Sequence, residues 1–152
     1  MAAIGKWKAG TNAAGSPLSV LSTELNTLGI ATMSAASPAI DNDTELDLYA
    51  DIELSLASLN PTLVGRVDLY ILCSIDGTNY PVATAAALRN QQTQLLCSIS
   101  LDDASAAQRV VIRNILLPPC KFKICLDNQL DVAFASSGNT LKLIRSNLNL
   151  NG

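Results

Sequence analysis

The chain has 152 residues, the length of a single domain, and a formal net charge of −3 at pH 7. It contains no histidine, which excludes histidine-dependent nucleophilic triads, histidine acid–base catalysis and histidine metal sites. The acidic balance argues against a nucleic-acid partner, because nucleic-acid-binding domains usually carry a basic face. Charged residues make up 15% of the chain, against about 25% in a typical soluble domain, so we expect part of the surface to be a subunit interface.

No segment of the sequence has the pattern of a targeting or membrane-spanning element. The first ten residues, MAAIGKWKAG, lack the apolar stretch of a signal peptide. Nowhere do about 20 apolar residues run together, as a transmembrane helix requires. We therefore expect a protein that is made in a cytosol and has no membrane partner.

The composition changes near residue 41. Residues 1–40 are rich in Ala, Ser, Thr, Gly and Asn, and their only charged side chains are Lys6, Lys8 and Glu24. We predict an N-terminal arm, residues 1–40, followed by a β-sandwich domain, residues 41–152. On this division, deletion of residues 2–40 leaves a folded body.

Leucines recur at helical spacing within the arm, at Leu18, Leu21, Leu25 and Leu28. Ser16-Pro17 would begin such a helix and Gly29 would end it. A helix of about three turns is marginal by itself, so the arm is predicted to be partly helical or extended along a neighbour.

The clearest strand is Glu45–Leu56, in which apolar and polar residues alternate. Even-numbered positions from Leu46 to Leu56 are apolar, whereas the other face carries the acidic residues Glu45, Asp47, Asp51 and Glu53. Because side chains along a strand point to opposite faces in turn, this pattern predicts a long antiparallel strand with one solvated face.

The rest of the chain reads as further short strands separated by turn signals. They are Val64–Ile75, Thr93–Ser100, Arg109–Leu116, Lys121–Leu126, Val132–Ala135 and Thr140–Leu148. The Asp76-Gly77 pair is a strong turn signal, and no helical stretch lies between the strands. The sequence predicts an all-β protein, with an antiparallel β-sandwich or jelly-roll-like body.

The four cysteines, Cys73, Cys97, Cys120 and Cys125, match neither a C-x-x-C redox motif nor paired zinc knuckles. We expect buried free thiols that behave as small apolar side chains. Disulfide pairing is the alternative, and cytosolic assembly disfavours it because thiols are kept reduced there.

The acidic face of Glu45–Leu56 offers two interpretations, a cation or acid–base site and a solvated strand face, and the second is favoured. Asp41-Asn42-Asp43-Thr44-Glu45 approaches a calcium-loop pattern but lacks its glycine and its later glutamate. Lys121 and Lys123 flank Phe122, and the alternation of side chains along a strand explains this pattern without a nucleic-acid-binding patch. We expect no catalytic residue, no cofactor and no metal, hence no enzyme; a carboxylate-only hydrolase is the remaining catalytic alternative.

Several segments resemble a family of small virion proteins of tailed bacteriophages. The most distinctive are Ser-Ile-Asp-Gly-Thr-Asn-Tyr-Pro at 74–81 and Ser-Gly-Asn-Thr-Leu-Lys at 137–142. The resemblance also includes the segments 43–54, 67–72, 108–115, 117–123 and 135–136. It covers most of residues 41–145, and Cys120 departs from it, standing where a small or polar residue is expected after Pro-Pro.

The resemblance implies a structural role as a capsid decoration (cement) protein, often a symmetric oligomer on the capsid exterior. From this role we expect a homotrimer that bridges subunits of the major capsid protein, with the arm along a neighbouring decoration subunit or the shell. The alternative is a tail, fibre or baseplate structural protein that binds host-surface carbohydrate. For that alternative, the aromatic residues that could stack on sugars are Trp7, Tyr49, Tyr70 and Tyr80.

Overall fold

Two antiparallel β-sheets form the computed structural model, which describes residues 6–9, 16–82, 84–89, 94–101 and 106–149. The strands are β1 (Lys6–Ala9), β2 (Leu18–Leu21), β3 (Tyr49–Leu56), β4 (Gly65–Ser74), β5 (Leu95–Leu101), β6 (Gln108–Leu116), β7 (Lys121–Gln129) and β8 (Thr140–Asn149). A 3-10 turn spans Thr23–Leu25, and one short helix, α1, spans Ala85–Arg89. The predicted all-β antiparallel sandwich is confirmed. None of the helical segments in the described ranges is long and apolar enough to cross a bilayer.

The large sheet is built around β8 and β3. β3 pairs with β8 on one side and with β6 on the other, so β6 is an edge strand. β1 and β2 both pair with the remaining edge of β8, where Ala9 is opposite Ser146 and Leu18 is opposite Leu143. The small sheet has the order β5-β4-β7. The main core lies between the two sheets and contains apolar side chains from both.

The predicted alternation holds along β3 but not in the residues before it. Ala50, Ile52 and Leu54 are each at most 1% exposed, as expected. The chain between Asn42 and Asp47 is a loop instead of strand, because the Asn42 side chain accepts the Asp47 N–H (2.9 Å) and donates to the Asp47 carbonyl (3.0 Å). The predicted strand start at Glu45 is therefore wrong.

The small sheet is buried on both faces along β4 and β7, whereas β5 has an exposed outer face. On β4, Val67 and Leu69 pack into the main core, while Tyr70 and Leu72 point to the opposite face. There they form a second cluster with Leu88 of α1 and Cys125 of β7. Strands buried on both sides read as near-continuous apolar runs, as the β4 sequence GRVDLYILCS does.

Residues 32–40 run along the free edge of β7 and close it. The N–H groups of Ser34, Ser37 and Ile40 donate to carbonyls of β7 at 2.7–2.8 Å. Two isolated bridges, Met33 to Asp127 and Ile40 to Phe122, continue the same pairing. The edge of β7 that faces away from β4 is therefore closed by the protein's own chain over this stretch.

The leucine-spaced segment is a strand over residues 18–21 with a single 3-10 turn after it, so of the two predicted alternatives the extended one holds there and the helix does not form. Val20, Leu21 and Leu25 are at most 4% exposed in the main core. Pairing of β2 with β8 satisfies backbone groups over a long sequence distance and overrides the local spacing. The division at residue 40 stays a prediction, although residues 18–40 share the main core with the rest of the chain.

Two other local predictions differ from the structure. Val132–Ala135 is not a strand; Phe134 N–H donates to the Leu28 carbonyl, and the Ala135 carbonyl accepts from Thr27. The helix α1 interrupts a region in which no helix was expected. Arg89 at its end forms an ion pair with Asp127 on β7, and this contact holds the helix over the small sheet.

Candidate functional site

The acidic residues that the sequence placed on one strand face are separated by the structure. Asp47 is 5% exposed, with its carboxylate 3.6 Å from Arg145 Nε, and Arg145 also donates to the Asp41 carbonyl at 2.6 Å. Asp51 and Glu53 instead face outward from β3. Within the described residues, no three His, Cys, Asp or Glu side chains converge as a metal site requires.

The candidate calcium loop makes short local hydrogen bonds. Thr44 N–H donates to the Asp41 carboxylate at 3.3 Å, and the Thr44 hydroxyl donates to Asp43 at 3.1 Å. The Asp41 carboxylate also lies 3.5 Å from Lys121 Nζ. These contacts explain the segment as a loop in which Asp41 is paired with Lys121.

A groove of about 410 Å³ crosses the outer face of the large sheet, and we call it the sheet groove. Its charged side chains are Asp51 and Glu53 of β3, Arg109 and Arg113 of β6, and Lys142 of β8. Its apolar side chains include Pro17, Val111 and Ile144. The register makes Lys142, Glu53 and Val111 one cross-strand row, so these side chains lie side by side on one face.

Both carboxylates of the sheet groove have partners within the protein. Glu53 accepts hydrogen bonds from Arg109, from Nε at 2.9 Å and also from Nη2. Hydrogen bonding to Arg109 lowers the pKa of Glu53, and the nearby charges of Arg109 and Lys142 add to this effect. Asp51 accepts the Asn114 N–H at 3.0 Å, where β6 is irregular and Asn114 has a φ of +58°.

A second surface feature is a set of exposed aliphatic side chains at one end of the sandwich, which we call the Leu116 end. The four are Leu46 (53% exposed), Leu48 (44%), Leu116 (66%) and Ile75 (104%). Tyr49 is paired with Leu116, and Leu117 N–H donates to the Leu48 carbonyl, which places β3 and β6 ends together. Ile75 comes directly after Ser74, the last residue of β4. Ser74 pairs with Lys121, the first residue of β7, and the loop before Lys121 begins at Leu116, the last residue of β6.

The first distinctive motif, at residues 74–81, is explained by turn chemistry. The Asp76 carboxylate accepts hydrogen bonds from the Ser74 hydroxyl, the Thr78 N–H and both nitrogens of Asn79, at 2.6–2.9 Å. These donors hold the pKa of Asp76 well below its ordinary value. Gly77 has a φ of +71°, which a side chain would strain.

The second distinctive motif, at residues 137–142, is likewise structural. Asn139 is 2% exposed; its side chain accepts the Ala57 N–H at 3.1 Å and donates to the Ala135 carbonyl at 2.8 Å. It also donates to the Asn26 side chain at 3.1 Å. Asn139 therefore joins three loops at one end of the sandwich.

All four cysteines are free thiols, of which Cys125 is buried and the other three are half-buried. Burial raises the pKa of Cys73 and of Cys125 to about 12, with hydrogen bonding to Cys120 adding to the shift at Cys73. Burial raises the pKa of Cys97 to about 11. Thiols with such pKa values carry almost no reactive thiolate at neutral pH.

The tyrosines proposed for sugar stacking occupy different places. Tyr70 is 4% exposed within the second cluster, and Tyr80 packs under Lys123, whose Nζ lies 4.4 Å from the ring centroid. Tyr49 is half-buried at the start of β3, and the Trp7 side chain lies outside the described part of the structure. Phe122, between the two lysines, is fully buried in the main core.

Comparisons with known proteins find similarity only at the level of structure. No family model and no curated protein matches the chain. A carbohydrate-binding CBM36-1 domain of a multidomain xylanase from the hindgut metagenome of Trinervitermes trinervoides is 12% identical, with a TM-score of 0.42, covering 98% of this chain and 99% of that one. The Triatoma virus structure is 10% identical, with a TM-score of 0.40, covering 90% and 65%.

The desmodium yellow mottle tymovirus structure is also 10% identical, with a TM-score of 0.37, covering 98% of this chain and 89% of that chain. These neighbours therefore include a carbohydrate-binding module and viruses. At such identities and scores, function does not transfer from any of them.

Proposed function

We propose that this protein is a bacteriophage capsid decoration protein, which binds the outer surface of the head. It bridges neighbouring subunits of the major capsid protein and stabilises the mature shell. The motif resemblance in residues 41–145 supports this role. Turn and loop contacts account for the two most distinctive motifs, as expected for a family whose shared residues maintain the fold.

The observation that carries the proposal is the Leu116 end. Single exposed aliphatic residues are common on protein surfaces, but four at one end of a sandwich form a surface suited to association. We assign this end to contact with the shell. A homotrimer placed where capsid subunits meet would repeat the contact, so that several weak interfaces act together.

Copy number tests the proposed location. Quantitative mass spectrometry of purified particles would measure the ratio of this protein to the major capsid protein. Hundreds of copies in a simple ratio to the shell subunit would support decoration. A dozen or fewer would contradict it and favour the alternative, a tail, fibre or baseplate structural protein that contacts the host surface.

A matched pair of variants tests the proposed surface. Leu116→Ser combined with Ile75→Ser removes two aliphatic side chains from the Leu116 end. Leu63→Ser combined with Val64→Ser removes two that are each 69% exposed just before β4, at the opposite end of that strand. We expect the first pair to lower occupancy on capsids about tenfold or more, since each exposed leucine or isoleucine contributes about 1.5–3 kcal/mol when buried.

The control pair should bind capsids like the wild type. Equal occupancy of both double variants, measured by co-sedimentation with purified shells, would show that the Leu116 end is not the contact surface. Native mass spectrometry of the free protein would test the proposed homotrimer separately.

A further inference from the structure

The sheet groove combines features that neither the fold nor the proposed capsid contact explains. It lies on the outer face of the large sheet, where hydrogen bonds within the sheet already use the backbone groups of β3 and β8. Its volume of about 410 Å³ is within the range of small-ligand sites, roughly 300–1,000 Å³. A ligand in it would therefore be bound by side chains.

The distribution of positive charge is uneven among the described lysine and arginine side chains. Five of them form ion pairs: Arg66, Arg89, Arg109, Lys121 and Arg145. Lys123 lies over the Tyr80 ring. Of the lysine and arginine residues whose side chains the structure describes, which leaves out Lys6 and Lys8, Arg113 and Lys142 have neither kind of contact, and both line the sheet groove.

The charge balance of the sheet groove is the opposite of that of the whole chain. Three cations, Arg109, Arg113 and Lys142, face two carboxylates, Asp51 and Glu53, whereas the chain has a net charge of −3. Glu53 is already bonded to Arg109, and Asp51 accepts a backbone N–H. The unmatched charge is positive, so the complementary ligand carries an acidic group.

The remaining chemistry of the sheet groove distinguishes among acidic ligands. Val111, Ile144 and Pro17 offer aliphatic surface for the C–H faces of sugar rings, while the carboxylates retain lone pairs that can accept from hydroxyl groups. Nucleic acid would need a basic face and aromatic stacking platforms, and the described lining holds no aromatic ring.

An acidic peptide fits the position less well than a sugar chain does. A peptide strand would add to the open edge of β6 through backbone hydrogen bonds. That edge is irregular near Asn114, and such bulges discourage strand addition. The sheet groove instead crosses β8, β3 and β6, a width of about 10 Å at roughly 4.8 Å per strand spacing.

We propose that the sheet groove binds an acidic oligosaccharide, with Arg113 and Lys142 as the partners of its carboxylate or sulfate groups. Val111 and Ile144 contact the ring faces, and Asp51 and Glu53 accept hydrogen bonds from hydroxyl groups. Arg109, held by Glu53, has its guanidinium positioned along the same face. The proposal does not depend on the capsid role or on where the protein sits in a particle.

Titration of the full-length protein with defined polymers tests the proposal. Polygalacturonate supplies carboxylates, dextran sulfate supplies sulfates, and neutral dextran and polyglutamate are the comparison polymers. We expect binding to one or both acidic polysaccharides by calorimetry at low salt, weakening as ionic strength rises. Methyl NMR signals of Val111 and Ile144 should shift during the titration.

Matched variants distinguish binding at the sheet groove from nonspecific electrostatic attraction to the protein surface. Arg113→Gln and Lys142→Gln should each weaken binding about tenfold, as expected for loss of a hydrogen bond to a charged group. Lys121→Gln combined with Lys123→Gln removes two positive charges from the small sheet, one more than either single variant, and should still leave affinity within about twofold of the wild type. All four positions are at least partly exposed, so the variants should remain folded.

Four results would overturn the proposal. They are no binding of either acidic polysaccharide, equal binding of neutral dextran, equal binding of polyglutamate, and equal loss of affinity in the Lys121/Lys123 control. Polygalacturonate binding without dextran sulfate binding would identify a carboxylated sugar, and the reverse would identify a sulfated one.

Discussion

The outer faces of the two sheets differ in what covers them. On the small sheet, residues 32–40 close the β7 edge and α1 lies over β4 and β7, so that Asp127 is completely buried. On the large sheet the outer face of β3 and β6 is open and carries the sheet groove. The protein's own chain covers the outer face of β4 and β7 with a second apolar cluster and leaves the outer face of β3 and β6 open.

The strand sequences already reflect this difference. β4 and β7 contain runs of apolar residues because both of their faces are buried, whereas β3 and β6 alternate because one face meets water. The role of charged side chains also differs between the covered face and the open face. The Arg89–Asp127 pair holds structure together on the covered face, while Arg113 on the open face makes no ion pair among the described residues.

The largest expected effect comes from removing residues 2–40, which include β1 and β2 of the large sheet and the segment that closes the β7 edge of the small sheet. Deletion of residues 2–40 removes five buried apolar side chains, Val20, Leu21, Leu25, Leu28 and Ile40, from the main core. At about 1.5–3 kcal/mol each, their loss is comparable with the entire stability of a domain, about 5–15 kcal/mol. We therefore expect this truncation to be unfolded by circular dichroism, unlike the folded body that the sequence alone predicted.

Deletion of residues 2–15 is the matched control. It leaves in place every main-core residue that the structure describes, and it removes β1 from the described structure. This shorter truncation should keep a cooperative thermal transition. A cooperative transition in the longer truncation would show that residues 41–152 fold independently and that residues 2–40 are not needed for folding.

A pair of arginine substitutions compares the two outer faces directly. Arg89 donates to both carboxylate oxygens of Asp127 at 2.7 Å, and Asp127 is 0% exposed. Arg89→Ala leaves that carboxylate buried, with Gln129 as its one side-chain donor among the described residues, so we expect a loss of about 3 kcal/mol in the free energy of unfolding.

Arg113→Ala on the open face should change the free energy of unfolding by less than about 0.5 kcal/mol. Urea denaturation of both variants gives the measurement. Similar losses in the two variants would mean that the small sheet does not depend on the Arg89–Asp127 contact.

The smallest expected effect concerns the exposed turn after β4. Asp76→Ala removes the acceptor of four hydrogen bonds and should lower Tm by a few degrees at neutral pH. Because the folded pKa of Asp76 is depressed, its stabilising effect is complete above the ordinary aspartate pKa of about 3.9 and is lost as the pH falls toward the folded pKa.

The difference in Tm between wild type and Asp76→Ala should therefore be constant from pH 7 to about pH 5 and should narrow below about pH 4. Thermal melts across that range measure it. A difference that does not change with pH would show that the charge of Asp76 has no role in the turn.

The sheet groove could be predicted only in part. Alternation over residues 109–116 places Arg109, Val111 and Arg113 on one face, and the same reasoning places Asp51 and Glu53 on one face of β3. The position of β3 between β6 and β8 cannot be predicted from the sequence, so the contact of Lys142 with the Glu53 side of the sheet could not be predicted either. Asp47 was misassigned partly for the same reason, since its carboxylate pairs with Arg145, which is far away along the chain.

The sequence by itself determined the all-β class, the buried face of β3 and the turn at Asp76-Gly77, because each follows from local periodicity or local backbone chemistry. Only the tertiary structure decided that the leucines near residue 20 belong to a strand, that the small sheet has a covered outer face, and which charges meet. Those outcomes depend on pairing between segments far apart in the chain, such as β2 with β8 and Arg89 with Asp127. Long-range pairing and burial are properties of the assembled sheets, and no short window of sequence contains them.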